Sequence, residues 1–297
     1  MSNLKESLAR LAAAIKEKTP EEGSYPTAIP GVSLHCRYRP FQTDSCFLKP
    51  LTSLIAQGKK ISIWGQEELR YGQGDYLVNS MYLPSTSFIK EASPANPFLA
   101  ITLDLDSQIL AQLALEIPEP PPTEPGRAVL IYQAEEELID AYLRLLQLLA
   151  KPASIPVLGP LIVNEIHYRL LIGPSGSMLR SVNHIGGQSY QVAKAITWLK
   201  ENFKQPLRVE DLAKRVNMAP STFHRHFRIM TTLTPLNYQK RLRLYEAQRL
   251  MMIHQLDALV ASQTVGYESP SQFNREYKRL FGEPPRRDVA RRLKMAV

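Results

Sequence analysis

The sequence predicts a chain of two domains, the first built mainly of β-strands with flanking helices and the second entirely α-helical. Three observations lead to this prediction. Apolar and polar residues alternate in short segments between residues 32 and 105, which is the period of half-buried strands. Helical spacing replaces this alternation from residue 190 onward. A helix-turn-helix pattern then occurs twice within residues 207–288, on either side of a long predicted helix.

The bulk composition is that of an ordinary globular protein, with 44% hydrophobic and 22% charged residues in a chain of 297. Charged residues interrupt the N-terminal segment, so we expect no signal peptide. No apolar run is expected to approach the ~20 residues of a membrane span. Cys36 and Cys46 are the only cysteines and show neither metal-ligand nor disulfide spacing. These features predict a cytoplasmic protein that uses no membrane, metal or cofactor.

Positive charge is concentrated in the C-terminal third of the chain. Residues 189–297 contain 20 Lys and Arg against 9 Asp and Glu, a net charge of +11. Residues 1–188 contain 16 against 19, a net charge of −3. Because the doubled motif lies in the basic part, the sequence favours a polyanionic partner over a surface that is merely solvated. These two ranges are the predicted domains, with a hinge at residues 186–189.

The first domain begins with a predicted amphipathic helix at residues 2–18. A strand starting at Val32 follows, and residues 51–56 and 60–64 are predicted to pair as a hairpin. Further short strands are predicted at residues 69–71, 76–82, 88–92 and 98–105. At least six short strands separated by Gly and Pro turns indicate a sandwich or a small barrel.

A proline-rich spacer at residues 118–125 separates the strands from two predicted helices, at about 134–150 and 156–172. The second helix is expected to end at Gly173. The first helix carries an apolar stripe that can either pack on the strands or form a dimer contact, and the sequence favours neither. The stripe consists of Leu138, Tyr142, Leu145, Leu146 and Leu149.

In the second domain, a predicted helix at residues 235–253 joins the two copies of the motif. Ser221 and Ser271 are 50 residues apart, whereas Ala213 and Ala261 are only 48 apart, so we expect two extra turn residues in the second copy. At ~1.5 Å per residue the connecting helix is ~27 Å long. Such a rod can hold two recognition helices roughly one DNA turn, ~34 Å, apart.

The second helix of each copy has an inner and an outer face. Phe223 and Phe227 share the inner face of the first copy, and Phe273 and Tyr277 that of the second, because residues four apart lie on one side of a helix. Side chains on the outer faces match base edges in the major groove, Arg with guanine and Asn or Gln with adenine. The predicted base-reading residues are Ser221, His224 and Arg225 in the first copy, and Ser271, Gln272, Asn274 and Arg275 in the second.

Other basic residues of the second domain are expected to face DNA phosphates, or only solvent. They are Arg228, Lys240, Arg241, Arg243, Lys278, Arg279, Arg286 and Arg287. The helix starts are predicted to differ between the copies. Ser269 before Pro270 can cap the second recognition helix, whereas Ala219 cannot cap the first, at a cost of ~1 kcal/mol.

Residues 190–288 resemble the DNA-binding domain of the AraC/XylS family of bacterial transcription regulators. The segments VGYESPSQF at 265–273 and FGEPP at 281–285 are similar to that family's second helix-turn-helix. Residues 26–175, approximately, also resemble the N-terminal domain of one AraC subgroup. The segments that carry this second resemblance are QGKK at 57–60, DYLV at 75–78, LP at 83–84 and EASP at 91–94.

The resemblance implies a cupin-like barrel as a regulatory domain, with a helical extension at about residues 134–172. It implies a sequence-specific regulator of transcription that binds double-stranded DNA, with the residues chosen above at or beside its base-facing positions. RNA polymerase, a small-molecule effector and a second copy of the chain are further expected partners. Ala219, Tyr267 and Tyr277 depart from the family pattern, in which Ser and Phe are usual, without threatening the fold.

Two other functions are weighed against this one, and thiol sensing is weighed against control by a small molecule. A cupin-type enzyme needs two or three His and a carboxylate inside the barrel, whereas His35 is the only histidine of the strand region, on the face opposite Leu34. A DNA-repair or architectural protein would carry a catalytic or wedge-inserting module, and the sequence shows none. Cys36 or Cys46 could sense oxidants or electrophiles at the N-terminal domain, although a buried structural thiol is the commoner case.

Overall fold

The computed structural model describes residues 2–42, 46–65, 67–118 and 126–295. The chain divides into two compact units, Met1–Tyr190 with Ile229–Thr232, and Gln191–Arg228 with Leu233–Val297. The first unit is mainly β and the second is helical, which confirms the predicted fold class. Most of the predicted proline-rich spacer, at residues 119–125, lies outside the described residues.

The described strands of the first unit form two antiparallel sheets. The strands are β1 (Gly23–Pro26), β2 (Val32–Arg37), β3 (Phe41–Gln42), β4 (Cys46–Leu48), β5 (Leu51–Gln57), β6 (Lys59–Trp64), β7 (Glu67–Gly72), β8 (Asp75–Asn79), β9 (Leu83–Ile89), β10 (Phe98–Asp104) and β11 (Val129–Gln133). One sheet has the order β1-β2-β10-β5-β8-β11. The other has the order β3-β9-β6-β7, with β4 also paired to β9.

The predicted hairpin at residues 51–64 is wrong, although both of its strands form. Both edges of β5 are already hydrogen-bonded, to β8 and to β10, while β6 pairs with β7 and β9 in the other sheet. Gly58, with φ of 89°, turns the chain between the sheets in a conformation that a side chain would strain. Turn residues reveal where a strand ends but not which partner occupies its edges.

Helices share one hydrophobic core with the six-stranded sheet, which α1 contacts directly. They are α1 (Ser2–Lys18), α2 (Ser107–Glu116), α3 (Glu136–Leu148), α4 (Ile155–Ile172) and α5 (Gly176–Asn183). Alternation along β2 buries Leu34 and Cys36 in the same core as Leu11 and Ile15 of α1. Tyr142 of α3 is fully buried in this core, and the other stripe residues pack there too, so the stripe of α3 packs within the first unit rather than on a second chain.

The expectation that no run approaches the length of a membrane span needs correction. The stretch Pro152–Ile172 has 21 residues, and an 18-residue window within it has a mean hydropathy of 1.2, which meets the length and composition of a span. Within it, Glu165 accepts from Arg144 of α3 at 2.7 Å and from Arg169 at 2.8 Å. Ionised groups are costly inside a bilayer, and this ion network together with the buried Ile166 and Leu170 ties α4 to the protein core.

The second unit contains the two helix-turn-helix motifs. Its helices are α6 (Gln188–Asn202), which begins at the boundary of the units, α7 (Val209–Arg215), α8 (Pro220–Thr231), α9 (Pro235–Ile253), α10 (Ala258–Thr264), α11 (Pro270–Phe281) and α12 (Pro285–Met295). The first motif is α7–α8 and the second is α10–α11. Helix α9 joins them over the residues that the sequence predicted.

The turn of the second motif has one extra residue, not the two that were expected. The amide of Met218 donates to the carbonyl of Ala213 at 2.9 Å, and the amide of Tyr267 donates to that of Ser262 at 3.0 Å. These equivalent bonds pair Ala213 with Ser262 rather than with Ala261. Leu212-Ala213 and Val260-Ala261, which look alike in the sequence, are therefore one residue out of structural register.

Candidate nucleic-acid interface

The two recognition helices α8 and α11 expose the same pattern of side chains. Positions 221–229 and 271–279 follow one order of exposed, half-buried and buried residues, position by position. Phe223 and Phe227 are fully buried, and Phe273 and Tyr277 are at most 1% exposed, which confirms both predicted inner faces. The two copies therefore turn equivalent outer faces away from their cores.

The predicted base-reading residues lie on these outer faces. Six of them are exposed, namely Ser221, His224, Arg225, Ser271, Asn274 and Arg275, and Gln272 is half-buried. Two make contacts within their own helix. Arg225 donates from Nη2 to Nε2 of His226 at 3.3 Å, and Gln272 donates from Nε2 to Oε1 of Glu276 at 3.2 Å. The outer faces thus present hydroxyl, amide, imidazole and guanidinium groups, which are the groups that read base edges.

The helix starts differ as predicted. Ser269 precedes α11 with an extended backbone, and its hydroxyl accepts from the amide of Gln272 at 3.3 Å. Ala219 precedes α8 and has no side-chain acceptor to offer. The amides at the start of a helix favour anions, so both starts suit contact with a phosphate backbone.

Several of the predicted phosphate-facing cations are free to reach a ligand. Arg228, Lys278, Arg279, Arg286 and Arg287 are exposed. Arg286 donates to Asp257 at 2.7 Å, but both side chains are exposed, and such surface pairs contribute little. Arg279 lies 4.0 Å from Glu276 and is 77% exposed.

Arg243 does not face phosphate or solvent as expected. Its Nε donates to the carbonyl of Phe203 and its Nη1 to that of Gly266, both at 2.7 Å. Its Nη2 donates to the carbonyls of Lys204 and Gln205 at 3.1 and 2.9 Å. Burial lowers the pKa of Arg243. This guanidinium ties the end of α6 to the turn of the second motif, so its role is structural.

The expectation that Lys240 and Arg241 face phosphate or solvent is also corrected. Lys240 donates to Oε1 of Glu276 at 2.6 Å, and its side chain is only 29% exposed. Arg241 is half-buried, and burial lowers the pKa of its guanidinium. Sequence spacing placed these residues on helix α9 but could not show what packs over them.

Glu276 is a buried acid on the recognition helix that sequence analysis missed. Burial alone would raise the pKa of its carboxyl, but hydrogen bonds from Lys240, Tyr267 and Gln272 outweigh this effect, and its pKa lies below the usual value. The signal was present in the sequence. A residue three positions after Phe273 and beside Tyr277 falls on the inner face of the helix.

In the N-terminal unit, His35 lies on the face of β2 opposite Leu34, as predicted. Its ring nitrogens are each 3.0 Å from a hydroxyl, Nδ1 from Ser24 and Nε2 from Thr102. Burial, with the nearby charges of Lys60 and Arg37, lowers the pKa of His35 to about 3, so the ring is neutral near pH 7. Among the described residues, no group of three His, Cys, Asp or Glu is placed to hold a metal ion.

The two thiols lie in different surroundings. Cys36 is fully buried in the core, out of reach of solvent oxidants. Cys46 is exposed at its surface, yet burial of its sulfur against neighbouring atoms raises the pKa of the thiol. Reactive sensor cysteines have a lowered pKa, so neither environment favours thiol sensing.

A cleft of about 740 Å³ opens within the first unit. Its walls are the loop before β2, the end of β10, the start of α2 and the first half of α4. Ile29, Ile109, Ile155 and Val163 supply apolar surface, and Asp106 lies among the polar lining residues. Volumes of roughly 300–1,000 Å³ are typical of small-molecule sites.

Both units match known protein families. Residues 28–178 match the model of the AraC-type transcriptional regulator N-terminus. Residues 212–291 match the model of a helix-turn-helix domain. The first match covers just over half of the chain, and the second covers both recognition helices.

Named relatives are similar mainly in part of the chain. The HTH-type transcriptional regulator CdhR of Pseudomonas aeruginosa is 28% identical over 137 residues, which are 44% of this chain and 41% of that protein. The HTH-type transcriptional activator RhaS of Escherichia fergusonii is 33% identical over 92 residues, 31% of this chain and 33% of that protein. The chain therefore spans less than half the length of these curated relatives.

The fold as a whole is similar to that of ToxT from Vibrio cholerae. A crystal structure of wild-type ToxT with bound unsaturated fatty acid has a TM-score of 0.55 at 10% identity, over 89% of this chain and 95% of ToxT. ToxT bound to a methylnaphthalenyl butenoic acid has a TM-score of 0.52 at 9% identity, over 83% of this chain and 93% of ToxT. At these identities the likeness concerns the fold alone. With the family match over half its length, the chain belongs to the AraC-type transcriptional regulators.

Proposed function

We propose that the protein regulates transcription by binding double-stranded DNA sequence-specifically through residues 189–297, under the control of a regulatory domain in residues 1–188. The observation that carries this proposal is the identical exposure pattern of residues 221–229 in α8 and 271–279 in α11, with the proposed base-reading groups on both outer faces. RNA polymerase, a small molecule and a second copy of the chain are proposed as further partners. A cytoplasmic location, where bacterial DNA lies, belongs to the same proposal.

The proposed base contacts use both recognition helices. Arg225 and Arg275 match the acceptor pair O6 and N7 of guanine, and Gln272 and Asn274 match N6 and N7 of adenine. Ser221, His224 and Ser271 add shorter contacts on the same faces. Arg228, Lys278, Arg279, Arg286 and Arg287 are the proposed phosphate contacts, and Lys240, Arg241 and Arg243 are removed from that set.

Selection from a random duplex library, followed by fluorescence anisotropy on the selected sequence, tests the DNA proposal. Wild-type protein is expected to prefer the selected duplex over random duplex. The affinity should fall as salt rises, and Arg287→Ala should reduce the slope of log K against log salt by about 1. Arg10→Ala, an exposed change in α1, is the control that leaves the slope unchanged. A protein that selects no sequence would contradict the proposal.

The small-molecule proposal is supported by the cleft in the first unit and by ToxT, whose crystal structure holds an unsaturated fatty acid. Ile109→Trp would place a large ring into the cleft and is expected to abolish thermal stabilisation by a bound compound. Leu115→Trp, on the same helix but 88% exposed and outside the cleft lining, should retain it. If both variants respond like the wild type to every stabilising compound, the cleft is not the effector site.

A second copy of the chain is proposed to dock on the outer face of α4. Val157, Leu161, Tyr168 and Ile172 follow one another along this face and are between 42% and 67% exposed. The nearby Glu165 is paired with Arg144 and with Arg169, and an identical face related by two-fold symmetry complements the apolar residues. A large exposed apolar face of this kind marks an interaction site.

Sedimentation equilibrium tests this dimer. The wild type is expected to sediment as a dimer and Leu161→Lys as a monomer, since a lysine at the centre of the interface would be buried without a partner. Leu115→Lys on α2 is the matched exposed control and should remain dimeric. A monomeric wild type, or one that instead sediments with lipid vesicles, would contradict the dimer.

A further inference from the structure

The recognition helix α11 carries a buried carboxylate beside one of its proposed base-reading residues. The side chain of Glu276 is 9% exposed. Its Oε1 accepts from Nζ of Lys240 at 2.6 Å and from Nε2 of Gln272 at 3.2 Å. Its Oε2 accepts from the hydroxyl of Tyr267 at 2.8 Å. Both oxygens are therefore occupied by donors from α9, from the turn and from α11 itself.

These contacts fix the position of Glu276 without any contribution from DNA. Lys240 compensates its charge, which a buried carboxylate requires. Tyr267 is itself buried, at 5% exposure. Burial raises the pKa of Tyr267, and the nearby Glu276 raises it further, so its hydroxyl keeps the proton that it donates. Because helix α9 and the turn hold both donors, the carboxylate is anchored to the second motif as a whole.

The anchored carboxylate determines which end of the Gln272 amide faces inward. An ionised carboxylate only accepts hydrogen bonds, so the NH2 group of Gln272 must point toward it and the oxygen must point away. One N–H of that group is used by Glu276, which leaves the second N–H and the oxygen for DNA. A donor and an acceptor presented side by side match N7 and N6 of adenine. A free glutamine amide could turn over and present the two groups in the reverse order.

The first copy holds a polar residue at the equivalent place. His226, 50 positions before Glu276, is 3% exposed, and its Nε2 accepts from the base-reading Arg225 at 3.3 Å. In both copies, a buried side chain on the inner face therefore contacts a neighbour on the outer face. The contacted positions differ, because Arg225 is equivalent to Arg275 and Gln272 to Thr222, so the two copies share a buried polar residue but not the same contact.

We propose that Glu276 is a positioning residue that sets the base preference of Gln272. The inference rests on the proposed DNA-binding function and adds the residue that orients one of its readers. Glu276 itself does not touch the base. Removal of its charge would free the Gln272 amide to adopt both orientations, so the protein would bind DNA but discriminate less at the base pair under Gln272.

Selection from a random duplex library with full-length variants tests this proposal. Glu276→Gln preserves the shape of the side chain but can present either an oxygen or an NH2 group to Gln272. The preference for one base pair is expected to fall by roughly tenfold or more, the range of a bidentate contact. Preferences at the other positions, including the guanine proposed for Arg275, should stay as in the wild type. Gln272→Ala should lose the same preference, and the double variant should lose no more than either single one.

Tyr267→Phe is the matched structural control. It removes another donor to Glu276 and is expected to lower the melting temperature while the base preference is retained. An unchanged preference in Glu276→Gln, or one that weakens evenly at all positions together with the melting temperature, would overturn the positioning role. If the wild type itself selects no sequence, the proposed function fails first, and the two failures are thereby distinguished.

Discussion

The two helix-turn-helix copies share one burial pattern but reach it with different residues. Each recognition helix packs an aromatic pair inward, Phe223 with Phe227 and Phe273 with Tyr277. The second copy has glycine in its turn and a serine cap before α11, whereas the first has Asn217 in its turn and no cap before α8. The fold therefore fixes which positions are buried. The local residues then decide how firmly each helix is held and what it presents.

The largest expected difference lies in the turns. Asn217 and Gly266 occupy equivalent positions with φ of 54° and 91°. Asparagine tolerates this left-handed region, but a Cβ on Gly266 would also lie 2.2 Å from the carbonyl oxygen of Lys204. We expect Gly266→Ala to lower the free energy of unfolding by roughly 3 kcal/mol, the backbone strain and the clash together, and Asn217→Ala by about 1 kcal/mol.

Urea denaturation with a probe in the second unit measures this difference. Gly282→Ala is the control, because Gly282 has φ of 86° but a Cβ added there would meet no atom within 4 Å. Gly282→Ala should lower the free energy of unfolding through backbone strain alone, by roughly 1–2 kcal/mol. Equal losses in Gly266→Ala and Gly282→Ala would show that the turn relaxes away from Lys204, and the contrast between the turns would disappear.

The two copies are also expected to differ in how much each contributes to DNA binding. Arg225→Ala and Arg275→Ala are each expected to weaken binding to the selected duplex by ~1–3 kcal/mol and to relax the preference for one base pair. Anisotropy titrations with single-base variants of the duplex measure both effects. Lys278→Ala is the control, since a phosphate contact should weaken binding to all sequences alike. Whichever Arg variant loses more identifies the dominant copy, and unchanged specificity in both would remove these two assignments.

The helix starts provide a smaller test. Ser269→Ala should destabilise the second motif by ~1 kcal/mol, because the amide of Gln272 would lose its acceptor. The reverse change, Ala219→Ser, should stabilise the first motif by a similar amount, since it places an acceptor where α8 has none. Thermal unfolding of the two variants compares them directly. If Ala219→Ser gives no gain, the start of α8 is satisfied by other means, and capping does not distinguish the copies.

Helical periodicity was sufficient to predict the architecture of the second unit. The spacing of Phe223 and Phe227 identified the inner face, and Pro235 marked the start of the connecting helix. The outer face of each helix was then the side away from the aromatic pair, and none of the base-reading residues predicted on it is buried. Periodicity succeeds there because burial within one short helix depends on local spacing.

Contacts between distant segments were not predictable in this way. Lys240 meets Glu276, 36 residues away, and Arg243 meets the carbonyl of Phe203, 40 residues away, so the protein's own acceptors hold both cations. Strand pairing failed for the same reason, because residues far along the chain occupy both edges of β5. Local spacing in a sequence shows on which face of a helix or strand a residue lies, but not which distant residue it contacts.

The smallest expected difference between the two copies is in their stability at acidic pH. The recognition helix of the first copy contains no carboxylate, whereas α11 contains Glu276, whose pKa lies below its usual value when folded. A depressed carboxyl pKa stabilises the folded state above the unfolded pKa, and this stability is lost as the pH falls from about 4.5 through the folded value. We therefore expect α11 to open before α8 on acidification.

Hydrogen exchange followed by mass spectrometry resolves the two helices, once intrinsic exchange rates are corrected for pH. Peptides from α11 should lose protection between about pH 5 and 3 more steeply than peptides from α8, in the window that follows from the usual glutamate pKa. Glu276→Gln should remove the excess slope, because its amide does not titrate. Parallel loss in both helices would show that acid acts on the second unit as a whole, and the carboxylate would then not distinguish the two copies.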